Sequence, residues 1–259
     1  MTELLCGCYV YGQRKLNETM IPLRDKNPSG KFPLVTVLLI VINVLVFIYQ
    51  LSLRGNLTPF FHRYALIPAQ IVFFGESPGI SLRSIFFPFL TSMFLHGGWL
   101  HVIGNMWYLW IFGDNIEDRL GHVRFFIFYL VCGIGAAVAH VILNPNSTVP
   151  CVGASGAIAG VLGAYLISFP FARVATLVPI FFFLTVIDIP AVILLVFWFV
   201  LQFFSGTLSI AATAQTGSGG VAWWAHVGGF IIGMILISLI PKRKGFQRRG
   251  SYVFKGRDF

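Results

Sequence analysis

The sequence predicts an all-α membrane protein: a bundle of six transmembrane helices with a long first loop partly embedded in the membrane. Three observations predict it. Hydrophobic residues make up 57% of the 259 and charged residues only 10%, with a mean hydropathy of +0.83, which leaves too little polar surface for a soluble domain. The charges punctuate the chain into apolar stretches, several long enough to cross a bilayer. Lys and Arg then fall almost entirely on one side of the resulting pattern. The formal charge of +9 does not point to nucleic acid, because the basic residues flank apolar runs, where they anchor spans. No nucleic-acid partner is expected; the expected surroundings are a lipid bilayer.

The first stretch, Phe32 to Leu53, carries no charge and has the length of a spanning helix. It starts well inside the chain and is long enough to span, so no cleavable signal peptide is expected. Ser84 to Gly113 is also charge-free, and its second half, from about His96, reads as the second helix. Phe125–Leu143 is the third, Val152 to about Pro170 the fourth, Ile189 to about Phe204 the fifth and Val221–Ile240 the sixth. Pro241 and the basic run Lys242-Arg243-Lys244 end it. Three parts follow: an N-terminal segment, residues 1–31, a six-span domain, residues 32–241, and a basic tail, residues 242–259. Thr176 to Ile187 is apolar but short and broken by Pro179, and reads as an interfacial or re-entrant segment leading into the fifth helix.

Six spans with both termini cytoplasmic place Arg14, Lys15, Arg24, Lys26, Lys31, Arg119, Arg124, Arg173 and the tail cations inside. Only Arg54, Arg63 and Arg83 lie outside. An odd number of spans would strand one basic terminus outside, so count and orientation support each other. A cell inner or plasma membrane is the expected location.

Polar groups inside spans are functional candidates by default. In this topology the second, fourth and sixth helices all start outside. His101 and Asn105 in the second, Ser155 in the fourth and His226 in the sixth then share one depth. Gly153-Ala154-Ser155-Gly156 sets a serine at a helix N-terminus, where unpaired N–H groups can face a developing oxyanion. Gly156 and Gly160, and Gly229 and Gly233, have the small-xxx-small spacing of close helix packing. Each signal alone has a bland reading. Gly-x-Ser-Gly is more often a packing motif than a catalytic one, and a lone transmembrane histidine, such as His140, more often bonds a neighbouring helix. The combination is specific.

The array His96-xxxx-His101-xxx-Asn105, Gly153-Ala154-Ser155-Gly156 and Ala225-His226-xx-Gly229-xxx-Gly233 resembles the rhomboid family of intramembrane serine proteases. The resemblance covers roughly residues 20–241 and implies a six-helix bundle with a water-filled cavity open to the outside. It implies Ser155 as nucleophile and His226 as base, with the Ser155 backbone N–H, His101 and Asn105 forming the oxyanion hole. Gly153, Gly156, Gly229 and Gly233 support the site, His96 supports the first loop, and Glu117 and Arg119 match a structural charged pair. The implied substrates are transmembrane proteins, cut near the outer ends of their spans. Two departures stand out. Phe86-Phe87-Pro88 occupies the region where some members have Trp-Arg, and Ala159 replaces a tyrosine that stacks on the catalytic histidine in some relatives.

No Asp or Glu occurs between Phe125 and Ala172 or between Ile189 and Pro241, so a dyad rather than a triad is expected. No cofactor is expected, and no metal: Cys6 and Cys8 lack a partner pair at ligand spacing. A catalytically inactive rhomboid-like protein that binds transmembrane clients is the alternative, but it would be signalled by loss of the serine or histidine. A small transporter would call for related halves or an intramembrane carboxylate, and neither occurs in the sequence.

Overall fold

The computed structural model describes residues 20–53, 57–76, 81–180, 183–216 and 222–247. Cys6, Cys8 and the glycine-rich loop 217–220 lie outside the described residues. A short strand, β1 (Ile21–Asp25), precedes helix α1 (Leu34–Ser52). The long connection that follows holds the short helices α2 (Leu57–Tyr64), α3 (Pro68–Val72) and α4 (Leu82–Thr91). Then come α5 (Trp99–Leu120), α6 (His122–Leu143) and α7 (Ser155–Ser168). A hairpin of β2 (Arg173–Ile180) and β3 (Phe183–Pro190) leads into α8 (Ala191–Thr216), and α9 (Trp223–Leu239) closes the bundle.

The expected second to sixth helices correspond to α5 to α9, but α5 continues past Gly113 through Asp114, Glu117, Asp118 and Arg119 to Leu120, and α8 continues past Phe204 to Thr216. Three helices, α1, α6 and the Ala191–Leu208 part of α8, are each long and apolar enough to cross a membrane. Leu82–Phe94 and Trp99–Leu120 make a fourth span if counted together across their 77° bend. The remaining apolar helices, α7 and α9, are shorter. Among the described residues, length and composition therefore identify three spans, or four with the bent pair, in an integral membrane protein that is mostly helical.

Helix α7 is the hub. From Gly156 to Tyr165 every residue is buried, because α5, α6, α8 and α9 pack around it. Its sequence, SGAIAGVLGAYLIS, allows this: a glycine or alanine on each turn lets neighbouring backbones approach without side chains between them. A Cβ placed on Gly156 would lie 2.7 Å from the Ala136 Cβ of α6, and one on Gly160 would lie 2.5 Å from the Cβ of the buried Cys132. The central helix is also short. Fourteen residues rise about 21 Å, against about 33 Å for the 22 of α6. The C-terminal end of α7 is tied to that of α5, where Arg119 donates to the Ser168 hydroxyl at 2.6 Å. Its N-terminus, with Ser155, therefore stops short of the far end of the bundle.

The segment read as interfacial is a β-hairpin, and the all-helical expectation needs that correction. β2 pairs antiparallel with β3 from Arg173↔Pro190 to Ile180↔Phe183, and β1 adds on the other side of β2 through Ile21↔Leu177. Val, Thr and Ile dominate both hairpin strands and favour extended backbone, while Pro179 denies a helix its hydrogen bond. A salt bridge from Lys26 to Asp188, 2.6 Å, joins the N-terminal segment to β3.

Glu117 and Arg119 both hold helix ends. Glu117, fully buried, accepts from the N–H groups of Val35 and Thr36 at 2.8 Å each, so it caps the start of α1. Arg119 donates to Ser168 at the end of α7 and to the Ile237 carbonyl near the end of α9. Arg243, just beyond α9, bonds Asp118 of α5.

Candidate active site

Three helices begin at the same end of the bundle, and each brings its polar residue there. Ser155 is the first residue of α7, His226 lies in the first turn of α9, and His101 lies in the first turn of α5. The Ser155 Oγ and His226 Nε2 stand 2.8 Å apart, within hydrogen-bond reach. What brings them together is the α7–α9 seam. A Cβ on Gly229 would overlap the Gly156 carbonyl, and one on Gly233 would overlap the Gly160 carbonyl one turn further on. The two glycines on α9 are thus required by direct backbone contact.

The chain just before Ser155 is held at two points. Leu66 and Cys151 exchange backbone hydrogen bonds of 3.1 and 2.7 Å, and the Gly153 N–H donates to the Ser92 carbonyl at 2.9 Å. Gly153 itself has φ of +129°, a conformation that side chains disfavour. A Cβ there would also lie 2.8 Å from His101 Nε2 and 3.5 Å from Ser155 Oγ. Glycine at 153 therefore lets the imidazole of His101 close on the backbone beside the serine.

Asn105 follows His101 by one helical turn and shares its face of α5. It is buried, and its Nδ2 has no hydrogen-bond partner among the described residues. A buried donor left open in this way is available to a ligand oxygen. His96 lies just before the same helix, fully buried. Its backbone is clamped by Gln50 of α1, which accepts from the His96 N–H at 3.0 Å and donates to its carbonyl at 2.9 Å. Its ring stands edge-on to His101 at 5.2 Å. It supports the entry to α5. His140 receives a hydrogen bond from Asn144, 3.3 Å from its Nδ1.

A cavity of ≈ 20 Å³ opens beside Ser155, walled by Met93, Gly133, Ala136, Val152 and Ala225. It has room for a water-sized group. Among the described residues no group of three or more His, Cys, Asp or Glu side chains could hold a metal ion.

The Rhomboid domain model matches residues 83–243, well over half of the chain. The chain belongs to the rhomboid family. Similar proteins include the rhomboid protease GluP of Bacillus subtilis (strain 168), 32% identical over 53% of this chain and 25% of its own length. RHOMBOID-like protein 4 of Arabidopsis thaliana is 31% identical over 62% of this chain and 36% of its own. Presenilin-associated rhomboid-like protein A, mitochondrial, of Danio rerio is 28% identical over 63% and 39% respectively. This rhomboid thus spans well under half the length of these relatives.

One residue at the site was not anticipated. Gln202, buried in the middle of α8, places its Oε1 2.6 Å from His226 Nδ1. Trp198, one turn earlier, lies against the same ring at 6.0 Å and 35°, and Trp223 meets it edge-on at 6.2 Å. The aromatic support absent at Ala159 of α7 is therefore supplied from α8 and the start of α9. The signal was present as an amide within an otherwise apolar span, but a search for carboxylates passes over it.

Proposed function

We propose that this rhomboid is an intramembrane serine endopeptidase that cuts transmembrane proteins near the outer end of their spans. The observation that carries the reading is the 2.8 Å contact between Ser155 Oγ, at a helix N-terminus, and His226 Nε2. Ser155 attacks the scissile carbonyl while His226 takes its proton, and His226 returns that proton to the leaving amine. Water then hydrolyses the acyl-enzyme by the same relay. The Ser155 N–H, the Asn105 amide and the His101 imidazole supply donors for the oxyanion. The reading includes six spans, α1 and α5 to α9, with part of the first loop embedded and both termini in the cytoplasm. The short α7 then sets Ser155 below the outer surface, where water can enter.

The narrow cavity beside Ser155 supports substrates with small side chains at the cut. Helix-breaking or polar residues just within the span should favour cleavage, because a scissile bond in a regular helix is hydrogen-bonded and must first be unwound. The test uses the purified full chain in liposomes with a single-span substrate. Ser155→Ala and His226→Ala should each abolish cleavage while still inserting and folding. Turnover retained by Ser155→Ala would overturn the assignment. A substrate with Leu in place of its helix-breaking residues, equally well inserted, should be cut far more slowly.

A further inference from the structure

We propose that Gln202 is a positioning residue, whose amide oxygen fixes the tautomer of His226 so that its Nε2 faces Ser155 as a base. This rests on the reading of Ser155 and His226 as nucleophile and base. The three side chains form one connected chain of polar contacts: Ser155 Oγ is 2.8 Å from His226 Nε2, and His226 Nδ1 is 2.6 Å from Gln202 Oε1. They come from three separate helices, α7, α9 and α8. A neutral imidazole carries one N–H and one lone pair. A carbonyl oxygen can only accept, so its place at Nδ1 requires the proton there and leaves the lone pair of Nε2 for the serine hydroxyl. The opposite tautomer would point an N–H at Ser155, and the base would be lost.

An amide suits this place better than the usual carboxylate. Gln202 is 4% exposed on an apolar helix, where an ionised side chain would be expensive to bury. An amide gives Nδ1 its acceptor with no charge to desolvate. As the Ser155 proton moves to Nε2 and the Oγ–carbon bond forms, positive charge develops on the ring, and the carbonyl dipole faces it. When the C–N bond breaks, the proton passes from Nε2 to the amine. Gln202 neither gains nor loses a proton at any step.

A purely structural Gln202, a hydrogen bond between α8 and α9, would change stability but not the proton's place on the ring. Two measurements on the full chain in nanodiscs separate these. The first is nitrogen NMR of histidine-labelled protein at mildly alkaline pH, with the His226 signals assigned by their loss in His226→Ala. The wild type should carry its proton on Nδ1, and Gln202→Leu should move it wholly or partly to Nε2. An Nε2–H tautomer in the wild type, or no change in Gln202→Leu, overturns the proposal.

The second measurement is cleavage. Gln202→Leu should lower kcat by roughly ten- to a hundred-fold with KM little changed, less than the ~10⁴ lost when a triad carboxylate is replaced and the wrong tautomer results. Gln202→Glu keeps the shape and the acceptor. It should recover much of the rate, with a dependence on pH that rises as the new carboxyl ionises. Equal losses in both variants, tracking equal losses of thermal stability, would make Gln202 structural and sink the idea. Ser155→Ala is run alongside. If it cleaves like the wild type, the protease reading fails, and the NMR result still decides the role of Gln202.

Discussion

Gly229 rests directly on the carbonyl oxygen of Gly156, and this contact sets how closely the helices bearing His226 and Ser155 approach. A side chain at 229 has no neighbour that can yield, because the obstructing atom is backbone. Gly229→Ala should therefore push α9 away from α7. Overpacking of this kind costs about 1–3 kcal/mol. Displacing a catalytic group by ~1 Å can cost about 10²-fold in rate. Cleavage is expected to fall by that order while both catalytic side chains remain, with a lowered melting temperature. A rate within error of wild type, even in Gly229→Val, would mean that the seam does not position the pair.

Asn105 and His101 differ in how firmly they are held, and their variants should differ accordingly. The Nδ2 of Asn105 is buried and open, whereas the Nδ1 of His101 already receives a 3.3 Å hydrogen bond from the Gly97 N–H. Asn105→Ala removes a donor that has no other described partner. His101→Ala removes a donor and also loosens the wall beside Gly153. Each should lower kcat by roughly ten- to a thousand-fold, the scale of losing one oxyanion donor. Thermal stability should fall further in His101→Ala than in Asn105→Ala. Unchanged turnover in both variants would leave these residues to packing alone.

Trp198 takes over the ring support that Ala159 cannot give. Its indole lies 6.0 Å from the imidazole and also contacts Phe230 at 6.0 Å, so it bridges α8 to two positions on α9. Trp198→Phe keeps an aromatic face there and should retain most activity. Trp198→Ala leaves the His226 ring free to tilt and should lower kcat by about ten-fold, a loss of orientation rather than of chemistry. Equal activity in the two variants would show that Gln202 and Ser155 hold the ring without help.

How much of this was legible depended on the range of the signal. The existence of the helices was readable because charges separate the apolar runs, but the ends of α5 and α8 were not, since α5 runs on through Asp114, Glu117, Asp118 and Arg119 and α8 runs on to Thr216. Ser155, His226 and the glycines were candidates because their spacings are local. The recess of Ser155 and the partner of His226 were not readable. Gln202 lies 24 residues before His226, and nothing in the sequence says that α8 turns that face toward α9. The hairpin was missed for a different reason: its strand character is stabilised by β1, more than a hundred residues earlier, through Pro22↔Thr176 and its neighbours. Apolar composition alone placed that segment at the membrane and gave no reason to pair it with residues 21–25.

At the other end of α7 from Ser155, Asp25 closes a polar cluster that makes stability depend on pH. Its carboxylate accepts from the Tyr165 hydroxyl at 2.7 Å and from Asn115 Nδ2 at 2.6 Å, joining β1 to α7 and α5. Burial raises its pKa from 3.8 to about 7, outweighing the hydrogen bonds from Tyr165 and the Asn27 N–H that act to lower it, and Asp114 nearby adds to the rise. The folded chain thus binds a proton that the unfolded chain has released between those two values. Stability from this group must therefore fall as pH rises through that window and level off above it. Asp25→Asn keeps the shape and an acceptor oxygen but cannot ionise. Its melting temperature in detergent should lack this part of the slope and, above the window, should equal or exceed that of the wild type. Parallel curves for the two proteins across the window would show that the Asp25 carboxyl titrates at its ordinary value, and that burial there carries no penalty.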